Sequence, residues 1–366
     1  MSEFDVGRSK RAREAFSLDD IAVVPSRRTR DAEDVNLTWQ IDAYQFAHPI
    51  ISAPMDSIAS PESVVTISNL GGLAVLDVEG LWTRYEDPSD AYQEIRGKRH
   101  DNSILQKYYS KGIQEDLIIK RIESLKNAGI TVAVALSPER TLQFHSLMSK
   151  AGVDIFVIRG TTLSAEHVST KSEALNLKEL IYEIDAPVIA GGVASYKAAL
   201  HLMRAGAAGV LVGFGGGASH TSTDVLGLRV PMATAISDVA AARREYLDES
   251  GGRYVHVIAD GSMGKSGDMV KALACGADAL MVGSPLARAT DAPGVGFHWG
   301  REATHPTLPR GQVVEFGTVG TLAEILRGPS RVADGTMNLV GAIAKSISLC
   351  GYTDLKEFQR VEIIAS

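Results

Sequence analysis

The amino-acid sequence predicts an α/β protein, a single-domain (β/α)8 TIM barrel, and two observations lead to this prediction. Eight short apolar runs recur along the chain, each closed by small or turn-forming residues and most followed by a segment of helical composition, which is typical of buried parallel strands. Four of the runs are preceded by Ala-Gly or Cys-Gly, as expected where a helix ends in a left-handed glycine. A doubly wound sheet of five or six strands with extra elements is the alternative.

In chain order, the predicted strands are Pro49–Met55, Leu73–Val78, Thr131–Leu136, Asp154–Arg159, Pro187–Gly191, Gly209–Gly213, Val255–Asp260 and Ala279–Gly283. Amphipathic helices are predicted where apolar residues recur three and four positions apart, at Leu117–Asn127, Leu142–Lys150, Leu177–Glu183, Tyr196–Arg204 and Asp268–Ala274. Two longer segments, residues 79–114 and 294–320, interrupt this rhythm and are candidates for loops over the barrel mouth. For residues 79–114, the polar composition favours plain solvated surface.

Length and composition limit the class of protein. The chain has 366 residues, a formal net charge of −7 and two cysteines, and its length fits one barrel domain over residues 1–366. No run approaches the roughly 20 apolar residues of a membrane helix, and the charged N-terminus lacks the apolar core of a signal peptide, so we expect a cytoplasmic protein without a membrane partner. The acidic balance argues against nucleic acid as a partner, and two cysteines are too few for a disulfide framework.

Glycine is concentrated where the sixth predicted strand ends, in a loop that we expect to be functional. Residues 213–222 read Gly-Phe-Gly-Gly-Gly-Ala-Ser-His-Thr-Ser. Glycine-rich backbone lets N–H groups converge on an anion or carbonyl groups on a cation, although such a loop is sometimes only a flexible turn. Active sites of TIM barrels lie at the carboxyl ends of the strands, and His220 and Ser222 follow the glycines directly, which favours the functional interpretation.

The loops after the seventh and eighth strands predict a phosphate site. They read Asp260-Gly261-Ser262 and Gly283-Ser284, and in TIM barrels these two loops often bind phosphate through backbone N–H groups and a helix N-terminus. Asp260 is then a polar group in the mouth, as an acceptor for sugar hydroxyls or as a base, with a helix N-cap as the alternative. Met55, after the first strand, is a candidate to pack on a flat heterocycle, with core filler as an equal alternative.

Several ordered motifs resemble those of the IMP dehydrogenase/GMP reductase family. They are Ser17–Pro25, Ser52–Asp56, Val188–Gly191, Gly213–Gly217, Ile258–Gly261, Gly283-Ser284 and the C-terminal Gly351-Tyr352 with Leu355–Glu357. The resemblance covers nearly the whole chain. It implies a homo-tetrameric TIM barrel that binds a purine nucleotide and transfers a hydride between purine C2 and a nicotinamide cofactor, NAD or NADP. The family's regulatory CBS pair normally follows the second strand, where this chain has only residues 79–114, so the chain is similar to the CBS-less branch.

The resemblance also implies roles for individual residues. Asp260 would hold the ribose hydroxyls, and Met55 would pack on the purine. The loops that would hold the 5′-phosphate contribute Gly261, Ser262, Gly283 and Ser284. Gly215 and Gly217 match positions whose carbonyl groups bind K⁺ in IMP dehydrogenases.

Departures from the family pattern affect the chemistry most. His220 stands at the position of the catalytic cysteine and Ala218 at that of the loop serine, and neither Cys275 nor Cys350 is placed to substitute for the missing thiol. Near the cofactor, Arg159 stands where an aspartate is usual and Gly192 where an asparagine is usual. The flap's Arg-Tyr pair has no counterpart in residues 294–320, which offer His298, Trp299, Arg301 and His305 instead. Taken singly, Arg301 and His305 are expected to be surface residues.

Three functional hypotheses follow. The first is a nicotinamide-dependent purine nucleotide oxidoreductase in which His220 acts as a general base without covalent catalysis. The second is a nucleotide-binding or regulatory protein that has lost the chemistry. The third is an enzyme acting on another phosphorylated substrate, with His220, Arg159 and His298 as a new constellation.

Overall fold

The computed structural model describes residues 3–160, 163 and 176–365, and its centre is a sheet of eight parallel strands. We number them β1 (Ile50–Ser52), β2 (Val75–Asp77), β3 (Ala133–Leu136), β4 (Ile155–Arg159), β5 (Val188–Val193), β6 (Gly209–Val212), β7 (His256–Asp260) and β8 (Ala279–Val282). Each strand pairs with the next from β2 to β8, and β8 pairs with β1. The Ser52 N–H donates to the Leu73 carbonyl over 2.9 Å, beside a parallel bridge between Ile51 and Leu73, so the sheet closes into the predicted TIM barrel and the doubly wound alternative is wrong.

Helices surround the barrel. They span Pro61–Asn69, Ser89–Gly97, Asn102–Tyr109, Glu115–Asn127, Pro138–Ala151, Leu177–Glu183, Tyr196–Arg204, Ser222–Leu226, Met232–Glu249, Ser266–Ala274, Ser284–Ala287, Leu322–Arg327, Leu339–Leu349 and Leu355–Phe358. The five predicted helices are confirmed, and three of them begin earlier than predicted because polar first-turn residues extend them. In the part of the chain that the structure describes, no helix combines the length and apolar character needed to span a membrane.

Glycines end four of the helices as the sequence predicts. Gly129, Gly152, Gly206 and Gly276 all have positive φ, between 72° and 112°. The left-handed conformation at each position reverses the chain from a helix into the next strand, where a residue with a Cβ would be strained. Four of the 35 glycines therefore belong to the barrel repeat.

Among the described residues, four antiparallel strand pairs lie outside the barrel. They join Glu3–Asp5 to Arg11–Arg13, Ile21–Val23 to Ile363–Ala365, Trp39–Ile41 to Tyr44–Phe46, and Phe297–His298 to Val314–Glu315. The last pair folds residues 294–320, here called the flap, back on itself over the mouth of the barrel.

Residues 79–114, here called the cap, are not the solvated surface that their composition suggested. The cap contains two helices, and its residues Leu81, Tyr92 and Ile95 are buried in a cluster with Trp299 of the flap. Polar residues lie on the outside of the cap, and apolar residues at helical spacing lie beneath them. The cap and the flap therefore form one cover over part of the mouth.

Candidate active site

Two adjoining cavities open at the carboxyl ends of the strands. The first holds about 520 Å³ of empty space and the second about 420 Å³, part of it continuous with solvent. Four residues line both cavities and so form the seam between them: Arg159, Gly216, Gly217 and His220. The residues closing β1, β4, β6, β7 and β8 meet here, as expected for a barrel of this topology.

Most of the residues singled out from the sequence line these cavities. Met55, Gly261, Ser262, Gly283 and Ser284 line the first cavity together with His298. The second cavity is lined by Asp260, Gly192 and Gly215. Ser222 is different: it is fully buried at the start of a short helix and lines neither cavity.

The Gly-rich loop packs directly against the loop after β7. Ser262 donates to the Gly216 carbonyl through both its N–H, at 3.0 Å, and its Oγ, at 3.1 Å. A Cβ atom on Gly213 would lie 2.0 Å from the Asp260 carbonyl oxygen, so only glycine permits this approach of the two loops. The packing sets the width of the cleft between the two loops.

Arg159 and Asp260 form an ion pair at the seam. The Arg159 Nε lies 3.4 Å from Asp260 Oδ2, and the two side chains are 15% and 17% exposed. Burial disfavours the charged guanidinium, but the carboxylates of Asp260 and Glu302 outweigh it and raise the pKa of Arg159. The carboxylate assigned to ribose hydroxyls therefore already has a cation beside it.

His220 faces a carboxylate that the sequence analysis missed. Its Nε2 lies 3.5 Å from Glu302 Oε2, and both side chains are about one-seventh exposed, at 14% and 15%. Burial acts to raise the pKa of Glu302, but the charges of His220 and Arg159 reverse this and lower it to about 2. Glu302 is therefore ionised at neutral pH.

His298 is buried beside the predicted phosphate loop. Its Nδ1 forms a hydrogen bond with Ser57 Oγ at 3.0 Å, and a Cβ on Gly283 would lie 3.2 Å from its Nε2. Burial, followed by the positive charges of His220 and Arg159, lowers the pKa of His298 to about 3. The imidazole is therefore neutral at physiological pH and able to donate or accept one hydrogen bond at Nε2.

Arg301 is not the surface residue that the sequence predicts. Its Nε lies 3.3 Å from Asp77 Oδ2 and its Nη1 lies 2.6 Å from Glu79 Oε1, so the flap is tied by charge to the end of β2. Although burial opposes the charged form, Asp77 and Glu79 raise the pKa of Arg301. His305 is exposed, as predicted.

A second buried network joins the cap, the flap and the loop after β1. Tyr109 donates its hydroxyl hydrogen to Asp56 Oδ2, and Trp299 Nε1 donates to the Tyr109 oxygen over 3.1 Å. The Leu81 N–H donates to both carboxylate oxygens of Asp56 at 3.0 Å. Burial, reinforced by the charge of Asp77, raises the pKa of Asp56 to about 7.

Neither cysteine takes part in the site. Cys275 and Cys350 are free and buried, and neither lines either cavity. Burial raises the pKa of the Cys275 thiol to about 11 and also raises that of Cys350. Because the thiolate is the nucleophilic form, neither residue is suited to attack a ligand in the mouth.

The residues present fit the groups that the sequence resemblance implied. Six glycines line the second cavity, next to its seam with the first cavity, so its wall there is largely backbone. The carbonyl of Gly215 accepts a hydrogen bond from Thr223 Oγ1 at 3.3 Å, and that of Gly217 accepts one from the His220 N–H at 3.0 Å. Each carbonyl keeps a second lone pair for a cation.

Sequence reasoning missed three carboxylates of the mouth: Asp77, Glu79 and Glu302. Asp77 is the penultimate residue of the predicted strand Leu73–Val78 and Glu79 directly follows it, so their position at a strand end was an available signal. Glu302 lies in the flap, away from any strand end, and only the folded path of the flap brings it to His220.

Comparisons with known proteins agree on one family. The family model described as "IMP dehydrogenase / GMP reductase domain" matches residues 15–305. An uncharacterized oxidoreductase of Mycolicibacterium smegmatis is 47% identical over 98% of both chains. An inosine-5′-monophosphate dehydrogenase of Aquifex aeolicus is 26% identical, over 97% of this chain and 76% of its own. The crystal structure of an IMP dehydrogenase/GMP reductase-like protein from Corynebacterium glutamicum superimposes with a TM-score of 0.94 at 47% identity, covering 100% of this chain and 98% of that one.

Proposed function

Since the chain belongs to the IMP dehydrogenase/GMP reductase family, we propose that this oxidoreductase binds a purine nucleoside 5′-monophosphate in the first cavity and exchanges a hydride with NAD or NADP. The observation that carries the proposal is the seam at His220, where the two cavities adjoin. Hydride transfer requires two ligands held in contact, and two adjoining cavities suit that requirement. The proposal includes a single barrel domain and a cytoplasmic homo-tetramer.

The nucleotide is assigned to the first cavity with its phosphate at the loops after β7 and β8. Backbone N–H groups of Gly261, Ser262, Gly283 and Ser284 are the donors proposed for the phosphate. Asp260 lines the second cavity beside the seam, so the ribose is proposed to reach the seam, where Asp260 accepts from its hydroxyls. Met55 is proposed to pack on the purine. Because Arg159 lies beside Asp260, ribose hydroxyls would share that carboxylate with a guanidinium.

The cofactor is assigned to the second cavity, next to Arg159 and Gly192. When bound, the nicotinamide ring supplies the hydride acceptor or donor. The protein would hold the two rings together and limit water at the seam. A K⁺ ion held by the carbonyls of Gly215 and Gly217 belongs to the same proposal, and replacing KCl by NaCl in the assay tests it.

His220 is proposed to act as a general acid or base rather than as a nucleophile. Imidazole is the side chain that most often serves as a general acid or base, but it does not replace the covalent step that a thiolate provides. We therefore expect turnover to be slow. Ser222 was paired with His220 from the sequence, but its burial away from both cavities argues for a structural role.

Turnover measurements with purified protein test the proposal. We expect slow production of reduced cofactor from IMP with NAD, or slow consumption of NADPH with GMP. Activity should persist in the Cys275→Ser/Cys350→Ser double variant and fall in His220→Ala. No turnover above a protein-free blank in either direction would refute the proposal.

A nucleotide-binding protein without chemistry is the second candidate. The observation in its favour is that no thiol of the described chain lies at the mouth. Calorimetric titration with IMP, GMP and XMP separates the two candidates, because binding without turnover supports the second. An enzyme on another phosphorylated ligand would bind none of the three nucleotides.

A further inference from the structure

We propose that Glu302 is a positioning residue that holds the imidazole of His220 in one tautomer, so that the two residues work as a carboxylate–imidazole pair at the seam of the cavities. This inference rests on the proposed function for the reaction it serves. Nothing in the family resemblance suggested it, because the family's nucleophile at this position is a cysteine.

Glu302 carries a carboxylate oxygen without a hydrogen-bond partner among the described residues. Glu302 Oε2 is shielded from solvent and accepts no hydrogen bond from the described residues, although His220 Nε2 lies only 3.5 Å from it. A buried carboxylate oxygen without a donor is costly. A small inward rotation of the imidazole would bring Nε2–H into hydrogen-bond distance, and such contacts often shorten when ligand binds.

Backbone contacts between the His220 loop and the flap hold the two side chains close together. The loop carrying His220 pairs with the flap through an antiparallel bridge between His220 and Gly311. The Thr221 N–H donates to the Arg310 carbonyl over 3.0 Å, and the Arg310 N–H donates to the Glu302 carbonyl over 2.8 Å. Because the backbones are tied at these points, the distance between the two side chains is set by the fold.

The negative charge of Glu302 favours one tautomer of His220. Glu302 is ionised at neutral pH, for the reasons given above. A carboxylate facing Nε2 favours a proton on that nitrogen, which leaves the lone pair on Nδ1. Arg301, the next residue along the flap, is committed to Asp77 and Glu79 and does not compete for Glu302 as an ion-pair partner.

The proposed proton transfer serves the oxidation of the nucleotide, and its atoms and charges balance. As a water oxygen bonds to purine C2, His220 Nδ1 takes a proton from that water, and the C2 hydride passes to the oxidised nicotinamide. The imidazolium formed carries one positive charge, which the Glu302 carboxylate stabilises. After product leaves, His220 returns the proton to solvent.

Nitrogen-15 NMR of the full-length protein with labelled histidine tests the pair without requiring activity. His220→Asn identifies the signals of His220 by their loss. In the wild type with a neutral imidazole, we expect Nε2 to be protonated and Nδ1 to be bare. Glu302→Gln should mix or reverse this tautomer, because the amide can offer an N–H to Nε2. Glu315→Gln, on an exposed flap residue paired with Arg99, is the control and should leave the tautomer unchanged.

Kinetics supply the second readout. Glu302→Gln should lower kcat by about 10²-fold or more with little change in KM, since general acid–base groups contribute about 10²- to 10⁴-fold. A wild-type tautomer in Glu302→Gln would overturn the inference. A raised KM with unchanged kcat would also overturn it, because Glu302 would then be contacting ligand. Glu302→Asp, which keeps the charge, is the alternative if Glu302→Gln fails to fold. It should retain the wild-type tautomer of His220, and a changed tautomer in this variant would count against the pair.

The two proposals fail separately. If the tautomer depends on Glu302 but neither nucleotide turns over, the pair stands and the proposed reaction is wrong. If nucleotides turn over and the tautomer of His220 is the same in Glu302→Gln as in the wild type, the proposed reaction stands and the pair is wrong.

Discussion

A substitution at Asp260 tests whether the proposed nucleotide site binds the ribose hydroxyls. Asp260→Asn removes the charge of the carboxylate assigned to the ribose hydroxyls while keeping its shape. A hydrogen bond to a charged group contributes about 1.5–3 kcal/mol, which corresponds to about 10- to 150-fold in Kd. Because Arg159 Nε lies only 3.4 Å from Asp260 Oδ2, part of that charge is already neutralised. We therefore expect IMP to bind about 10- to 30-fold more weakly.

Titration calorimetry with two ligands distinguishes a lost contact with the ribose from a general disturbance of the binding site. Wild type and Asp260→Asn are titrated with IMP and with 2′,3′-dideoxy-IMP. If Asp260 binds the ribose hydroxyls, the substitution should matter little for the ligand that lacks them, since the two changes remove the same interaction. Asp268→Asn, on the following helix and outside both cavities, serves as the control.

Two results would refute the reasoning. IMP affinity within about twofold of wild type would show that Asp260 makes no important contact, because such differences lie within ordinary additivity error. Equal losses for both ligands would show that the substitution acts through Arg159 or the loops rather than through the ribose.

Three further predictions concern the cover of the site. Arg301→Met leaves the buried Asp77 and Glu79 without their cation, so the free energy of unfolding should fall by about 3–5 kcal/mol and the apparent Tm should fall by several degrees. Differential scanning calorimetry measures this against Arg331→Met, whose side chain is 72% exposed in its ion pair with Glu324, so almost no change is expected; equal Tm values for the two variants would contradict the assignment. Gly300→Ala would place a Cβ 2.8 Å from Glu302 Oε2 and 2.9 Å from Met55 Cε, so titration calorimetry should show weaker IMP binding. The Gly97→Ala variant, with no atom within 4 Å of the added Cβ, should bind IMP normally; unchanged IMP binding by Gly300→Ala would show that neither Met55 nor Glu302 has to keep its position for the ligand to bind. Asp56 has its pKa raised from 3.8 to about 7 by burial, so the folded state holds this proton more tightly than the unfolded chain and Asp56 costs stability as pH rises from about 4 to 7. Asp56→Asn should remove that fall from a plot of Tm against pH, and parallel curves for the two proteins would refute the assignment.

The barrel was predictable because its signals are local. Each strand is a short apolar run, and each αβ turn needs a glycine in the left-handed region, as at Gly152 and Gly206. Closure was also predictable, since eight such units suit a barrel better than an open sheet. The strand-end residues, including Asp260 and Gly283, followed from this topology.

The cover over the mouth was not predictable in the same way. Composition made residues 79–114 look like solvated surface, although Leu81 and Tyr92 are buried against Trp299, more than 200 residues away along the chain from both. The ion pairs of Arg301 and the approach of Glu302 to His220 depend on the flap's folded path. No sequence spacing encodes that path, so the charged groups that surround His220 emerged only from the structure.

A crystal structure of the protein with bound IMP tests the central claim most directly. We predict density for the phosphate at Gly261, Gly283 and Ser284, and for the ribose at Asp260. His220 should lie within hydrogen-bond reach, about 3 Å, of a water positioned to attack C2. Density for the phosphate away from the loops after β7 and β8 would contradict the account, as would a base turned so that C2 faces away from His220.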